Sequence, residues 1–145
     1  MDREIKFRGR SYDGIWMFGY LMPAPRPQIH PSCKHIISAV PHTIKSVDRG
    51  LYEVNEDTIG QYTGLKDKSG VEIYEGDIVD VWSQGSHITD GIIKWGNGRC
   101  GFFIGNATNS MVWNLSGDQY GCETLKVVGN IYDNPELIGE EEGKP

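Results

Sequence analysis

Four side chains between residues 30 and 42 offer the nitrogen and sulfur atoms that zinc prefers. They are His30, Cys33, His35 and His42. Structural zinc sites hold the ion with four such ligands around one tetrahedral centre, and on an extended chain Cys33 and His35 would share a face. The single residue between these two matches no standard zinc-binding spacing. The favoured interpretation is therefore a polar surface loop, with a metal site as the alternative, and no cofactor is predicted.

Four carboxylates within nine residues form the other candidate for chemistry: Glu72, Glu75, Asp77 and Asp80. Paired carboxylates can transfer protons or hold a hard cation. The segment around Gly76 has a simpler interpretation as a turn that leads into a strand, because Asp side chains form local hydrogen bonds in turns. The sequence contains no recognisable nucleophile motif and no glycine-rich phosphate loop followed by a helix. We therefore predict that the protein is not an enzyme.

Aromatic and basic side chains indicate binding to another macromolecule. Small β domains use aromatic surfaces to bind peptides or single-stranded nucleic acid. The candidates for a partner-binding surface are Trp16, Tyr20, Trp82 and Trp113. Lys6, Arg8 and Arg10 would share one face of an extended strand, and they form the candidate basic patch. The simpler explanations are a solvated strand face for the basic residues and core packing for most of the rings.

The composition limits the class of protein. With 19 glycines and seven prolines in 145 residues, the chain is suited to short strands joined by tight turns. The formal net charge of −6 disfavours nucleic acid unless positive charge gathers on one face. Three widely spaced cysteines and a charged N-terminus argue against a secreted, disulfide-bonded protein. No apolar run approaches the about 18 residues that a membrane-spanning helix needs, so we expect a cytoplasmic protein without membrane attachment.

Hydrophobic periodicity predicts an all-β protein with very little helix. Residues 4–9 alternate polar and apolar, which is typical of a half-buried strand. Asp13-Gly14 then predicts a hairpin turn before a returning strand. The proline-rich segment 23–31 excludes a helix or a central strand there. Asn55 could cap a single helical turn, and this is the one helical signal in the sequence.

The second half predicts about five short strands between residues 71 and 132, which is the pattern of a small barrel or sandwich. Among them, residues 78–82 form a strong strand, and Asn97-Gly98 between two apolar runs predicts a hairpin. We expect aromatic residues to form the core of this second-half domain: Trp82, Trp95, Phe102, Phe103 and Trp113. A polar turn over 63–70 marks the boundary between subdomains. The predicted divisions are an N-terminal β subdomain with a proline-rich loop over 1–63, a second β subdomain over 64–132 and an acidic tail over 133–145.

Several stretches of the chain resemble one protein family. They are the opening REIKFR (3–8), the long block IGQYTGLKDKSGVEIYEGDIV (59–79), GIIKW (91–95) and the closing VGNIYDNPEL (128–137). In this order they resemble the YopX-like proteins of phages and prophages, over nearly the whole chain. The resemblance implies a mostly β protein with an SH3-type barrel over 64–132, a bacterial or phage origin and self-association. It implies no reaction and no catalytic residues.

Two functions follow from these observations as expectations. The favoured one is a non-enzymatic β-barrel interaction module in the cytoplasm of a bacterial host, which forms homo-oligomers or binds a protein partner. The alternative is a nucleic-acid-binding module that uses Lys6, Arg8 and Arg10 beside exposed rings. Binding that weakens steeply with salt would distinguish the second function from the first.

Overall fold

The computed structural model describes residues 4–24, 31–38, 50–96, 101–106, 112–115 and 125–139. These residues form eleven β-strands, one 3-10 turn and one four-residue helix, which confirms the all-β class. The chain divides into two compact units, Met1–Tyr62 and Thr63–Pro145. In the described part of the chain, no helix is long and apolar enough to cross a membrane.

The first unit is an antiparallel sheet with the strand order β4-β3-β2-β1-β5. Its elements are β1 (Phe7–Arg10), β2 (Trp16–Pro23), β3 (His35–Ser38), β4 (Leu51–Glu53), the turn η1 (Glu56–Thr58) and the start of β5 (Gly60–Lys66). The predicted hairpin between β1 and β2 is confirmed, because Arg10 pairs with Trp16 and Gly14 adopts a φ of 89° that favours glycine.

The core of the first unit includes residues from both faces of β3, since the neighbouring residues Ile36 and Ile37 are both buried. Ile37 and Val54 are completely buried there. A Cβ atom on Gly9 would lie 2.8 Å from Cβ of Val54, so only glycine lets β1 approach that side chain closely. The predicted cap is also confirmed, since the Asn55 side chain accepts a hydrogen bond from the Asp57 N–H at the start of η1.

The second unit contains a five-stranded antiparallel sheet with the order β10-β9-β8-β7-β11. Its strands are β6 (Glu72–Tyr74), β7 (Asp77–Ser83), β8 (Ser86–Trp95), β9 (Phe102–Gly105), β10 (Val112–Asn114) and β11 (Leu125–Asn130). The predicted strand over 78–82 is confirmed within β7. The β8–β9 hairpin is confirmed by the pairing of Trp95 with Phe102, and the predicted turn residues Asn97 and Gly98 lie outside the described residues. A short helix, α1 (Glu136–Gly139), adds helix that the sequence did not predict.

The described residues of the second unit show no closed barrel. The end of β5 and β6 are hydrogen-bonded neighbours, and their side chains pack into a core shared with the five-stranded sheet. The buried cluster is aliphatic and consists of Ile73, Val79, Val81, Ile93, Ile104 and Leu125. A hairpin that packs over one face of the sheet buries these side chains without joining β10 to β11.

The prediction of an aromatic core in the second unit is wrong for some of the five rings. Phe103 is buried at 1% exposure, but Trp95 is 52% exposed and packs edge-on against Phe102, with ring centroids 4.7 Å apart. Trp82 is only half-buried, and the structure does not describe the side chain of Trp113. The aliphatic residues fill the core from five strands, β6, β7, β8, β9 and β11, and Val79 and Val81 occupy alternate positions of β7.

A buried carboxylate ties the β5–β6 turn to the last strand. The predicted turn over 63–70 is shorter in the structure, because β5 continues to Lys66 and the turn begins at Asp67. Asp67 is 1% exposed. Its Oδ1 accepts hydrogen bonds from the N–H groups of Ser69 and Val71, and its Oδ2 accepts one from the N–H of Val127. One side chain therefore fixes both the turn and its contact with β11.

Candidate functional site

Three aromatic side chains follow one another on one face of β2. Trp16, Phe18 and Tyr20 occupy alternate positions of an extended strand, so they point to the same side. We call them the aromatic row. Phe18, at the centre of the row, is 49% exposed, whereas Trp16 and Tyr20 are half-buried. The row includes two of the predicted partner-binding residues and one, Phe18, that the sequence analysis did not select.

The basic residues of β1 lie on the same face as the aromatic row. Arg8 is directly opposite Phe18 and Arg10 is directly opposite Trp16, and directly opposed residues of antiparallel strands share a face. The Arg8 guanidinium carbon lies 4.7 Å from the centroid of the Trp16 ring, and Arg8 is only 6% exposed. This charge is thus largely covered by protein.

Lys6 is also engaged by its surroundings. Its Nζ lies 3.5 Å from Oε1 of Glu4 and 5.1 Å from the centroid of the Tyr62 ring. The predicted basic patch is therefore close to the predicted aromatic surface, but its charges are partly compensated. Phosphate would have to compete with these contacts for Lys6, and it would have little access to Arg8.

The other predicted aromatic residues belong to the second unit. Trp113 lies in β10, opposite Ile104 of β9. Trp82 lies in β7, with the Lys68 Nζ 4.6 Å from the centroid of its ring. Trp16 and Tyr20 belong to the first unit, whereas Trp82 and Trp113 belong to the second.

Cys33 and His35, the described members of the considered zinc site, make other contacts. Cys33 is 1% exposed, and its Sγ lies 3.0 Å from the backbone oxygen of His35. Nδ1 of His35 lies 3.0 Å from Oε2 of Glu56. The two remaining residues of that set, His30 and His42, lie outside the described part of the chain.

The carboxylate of Glu56 organises this region. Burial alone would raise the pKa of Glu56, but hydrogen bonds from the His35 side chain and from the backbone of Lys34 and His35 outweigh it, so the pKa lies below its usual value. The two backbone N–H groups donate to Oε1 at 2.8 and 2.7 Å. Burial raises the pKa of the Cys33 thiol, which keeps it protonated and makes it a poor nucleophile.

The carboxylates of Glu72 and Asp77 have structural contacts. Oδ2 of Asp77 accepts a hydrogen bond from the Tyr74 N–H at 2.7 Å, and Asp77 is 2% exposed. Oε1 of Glu72 accepts a hydrogen bond from the Tyr74 hydroxyl at 3.2 Å. The bond to Asp77 closes the turn that leads into β7, whereas the bond to Glu72 lies within β6.

Asp80, the fourth carboxylate, belongs to a group that sequence analysis did not assemble. Its Cα is paired with that of Asp90 on β8, and His87 lies beside both side chains. We call Asp80, His87 and Asp90 the His87 cluster. Nε2 of His87 is 2.8 Å from Oδ1 of Asp90 and 3.7 Å from Oδ1 of Asp80. Burial raises the pKa of Asp80, and the hydrogen bond and charge of Asp90 raise it further, against the opposing effects of His87 and Lys126.

A register shift brings His87 into this cluster. Asp80 pairs with Asp90 and Val81 with Thr89, but Trp82 then pairs with His87. In an unshifted ladder the partner of Trp82 would be Ile88. The shift therefore places His87, in place of Ile88, on the face that carries Asp80 and Trp82, which is a known effect of β-bulges. The alternating sequence pattern gives no sign of this shift.

The comparisons with known proteins agree with this fold. The family model described as YopX protein matches residues 24–139. The crystal structure of protein EF1440 from Enterococcus faecalis is similar to this chain with a TM-score of 0.52 and 27% sequence identity, over 94% of this chain and 99% of that one. No curated protein matches the chain. Because the family model spans well over half of the sequence, the chain belongs to the YopX family.

Proposed function

We propose that this protein is a non-enzymatic interaction module that associates with a second copy of itself through the aromatic row. We further propose that it acts in the cytoplasm of a bacterial cell and is encoded by a phage or prophage, as expected from the sequence. The observation that carries it is the position of Phe18, half-exposed between two large rings on one face of β2. Burying a Phe side chain fully contributes about 1.5–3 kcal/mol.

A second copy is the occupant that fits this surface best. Two identical sheet faces can pack across a two-fold axis, in which each aromatic row contacts the other. Arg8 does not oppose such packing strongly, because the Trp16 ring covers its guanidinium group and leaves it only 6% exposed. The contact between Lys6 and Glu4 reduces the net positive charge at the end of this face. Aromatic residues beside arginine are also typical of the centres of protein interfaces.

The test compares the solution mass of the unmodified protein with that of two matched variants. Phe18→Asp introduces a charge at the centre of the row. Leu137→Asp introduces the same charge at an exposed apolar residue, 46% accessible, in the second unit. Size-exclusion chromatography with light scattering should give a dimer for the unmodified protein and for Leu137→Asp, and a monomer for Phe18→Asp. A monomer in all three samples, or a dimer in all three, contradicts the proposal.

Nucleic-acid binding is the second candidate, because one observation favours it. Lys6, Arg8 and Arg10 converge on the face that also carries the exposed Phe18 ring, and such a combination can bind single strands. The burial of Arg8 makes this candidate the weaker one. Fluorescence anisotropy with a labelled single-stranded oligonucleotide at two salt concentrations tests it. Binding that falls steeply with salt and is lost in Arg10→Ala would favour this candidate.

A further inference from the structure

We propose that the His87 cluster binds one divalent transition-metal ion of the zinc class. The three ligand atoms, one imidazole nitrogen and two carboxylate oxygens, all lie within 4.8 Å of one another. A zinc ion about 2.0–2.2 Å from each ligand brings tetrahedral ligand atoms to separations of about 3.3–3.6 Å. The observed separations of 2.8 and 3.7 Å from Nε2 of His87 need only small side-chain adjustments to reach this geometry.

The backbone holds the three ligands on rigid elements. All three lie in paired strands, with Asp80 in β7 and His87 and Asp90 in β8. The β7–β8 turn at Gln84 and Gly85 has φ angles of 50° and 78°, which are typical of a tight two-residue hairpin. The register shift next to this turn places His87 on the ligand face. Bulges are frequent beside functional sites because they redirect side chains in this way.

The side chain of His87 is further positioned by Trp82. The two rings pack edge-on with their centroids 5.5 Å apart, so the indole limits the positions that the imidazole can take. The indole N–H of Trp82 is buried and has no hydrogen-bond acceptor among the described residues. A buried donor without an acceptor costs about 1–3 kcal/mol.

Electrostatics also favours a cation at this position. Asp80 and Asp90 are directly opposed on neighbouring strands, and like charges in that arrangement destabilise a sheet. Lys126 is the partner of Asp80 on the other side, in β11, and Lys68 lies over the Trp82 ring. Among the residues that the structure describes, Lys126 is the cation paired with Asp80, and His87 contacts the carboxylate of Asp90. A divalent ion between the two carboxylates would neutralise both.

The ligand types select the metal. Imidazole nitrogen favours zinc, cobalt, nickel or copper over calcium and magnesium, which take oxygen ligands. With three protein ligands, a fourth position remains for water, which is the arrangement of open zinc sites. The ligands are accessible to an ion from solution, since the side chains of His87 and Asp90 are 44% and 49% exposed. This site is independent of the aromatic row, so the failure of one proposal leaves the other intact.

Isothermal titration of the full chain with Zn²⁺, repeated with Co²⁺, tests the site. We expect one equivalent of ion to bind, with an affinity that falls at least about 100-fold in His87→Ala and in Asp90→Asn, because the loss even of an outer-shell partner costs about 10–100-fold. Asp57→Asn, which changes an exposed carboxylate elsewhere, should bind like the unmodified protein. Circular dichroism establishes that each variant is folded.

A second readout locates the ion. Zn²⁺ should shift the imidazole resonances of His87 in the NMR spectrum and should leave those of His35, which contacts Glu56, in place. The absence of binding, or binding that is unchanged in His87→Ala and Asp90→Asn, overturns the proposal. Binding by a cysteine thiolate would have the same consequence, and it would appear as a sulfur-to-cobalt charge-transfer band that persists in both variants.

Discussion

Replacing Asp67 should destabilise the second unit strongly. The side chain is 1% exposed and accepts three backbone hydrogen bonds. Two of these bonds organise the β5–β6 turn. The third, from Val127, joins residues that are 60 positions apart in the chain and so fixes β11 against the hairpin.

The magnitude follows from what each substitution removes. Hydrogen bonds to charged groups contribute about 1.5–3 kcal/mol each, and a buried donor without an acceptor costs about 1–3 kcal/mol. Asp67→Ala removes all three bonds, but Ser69 and Val71 are exposed, so water can solvate their N–H groups again. We expect a loss of about 3–5 kcal/mol in the free energy of unfolding. Asp67→Asn keeps the oxygen near Ser69 and Val71 and loses the bond to Val127, so its expected cost is about 1.5–3 kcal/mol.

Urea denaturation followed by tryptophan fluorescence measures these losses, with Asp57→Asn as the control at an exposed carboxylate. The control should stay within about 0.5 kcal/mol of the unmodified protein. Amide hydrogen exchange adds a local readout, because exchange at the Val127 N–H should accelerate in Asp67→Asn more than exchange at Ser69. A loss below about 1 kcal/mol in Asp67→Ala, or equal effects of Ala and Asn, would refute this reasoning.

Two further changes test the packing and the electrostatics of the fold. Gly91→Ala would place a Cβ atom into the Cγ2 methyl of Ile104. We expect urea denaturation to show a loss of about 1–3 kcal/mol in the free energy of unfolding. Gly101→Ala, with open space around the added atom, should change this free energy little. For Glu56, the lowered pKa means that its ionised form stabilises the fold above the usual pKa, and this contribution is lost as the pH falls through the lowered value. Glu56→Gln should therefore lower the free energy of unfolding by about 1 kcal/mol near pH 7 and by progressively less below about pH 4. A loss that does not change with pH would contradict a stabilising role for the ionised carboxylate.

The sequence predicts local features of this fold well. The alternation of residues 4–9 and the Asp13-Gly14 turn identify the first hairpin, and Asn55 identifies η1, because each of these signals acts through its own neighbours along the chain. Because side chains alternate between the two faces of a strand, the sequence also predicts that Lys6, Arg8 and Arg10 share a face. The convergence of that face with the aromatic row follows once β1 and β2 pair in the observed register.

Features that depend on distant residues were not predictable. The sequence identifies Asp67 as part of a polar turn, but its bond to Val127 requires knowledge of where β11 lies. The described residues of the second unit show no closed barrel for the same reason, since closure depends on which strands meet at the edges of the sheet. The His87 cluster depends on a shift of one residue in the β7–β8 ladder, and such a shift reverses the face of every side chain beyond it.

The contact between aromatic rows in two copies of the chain is the central claim, and an isotope-filtered NMR experiment measures it directly. A mixed sample of labelled and unlabelled protein reports only contacts between different chains. The proposal predicts intermolecular contacts from the Phe18 ring to Trp16 or Tyr20, together with a solution mass of about twice the 16.2 kDa of one chain. A mass of 16.2 kDa throughout a dilution series, with no intermolecular contacts from Phe18, would contradict it.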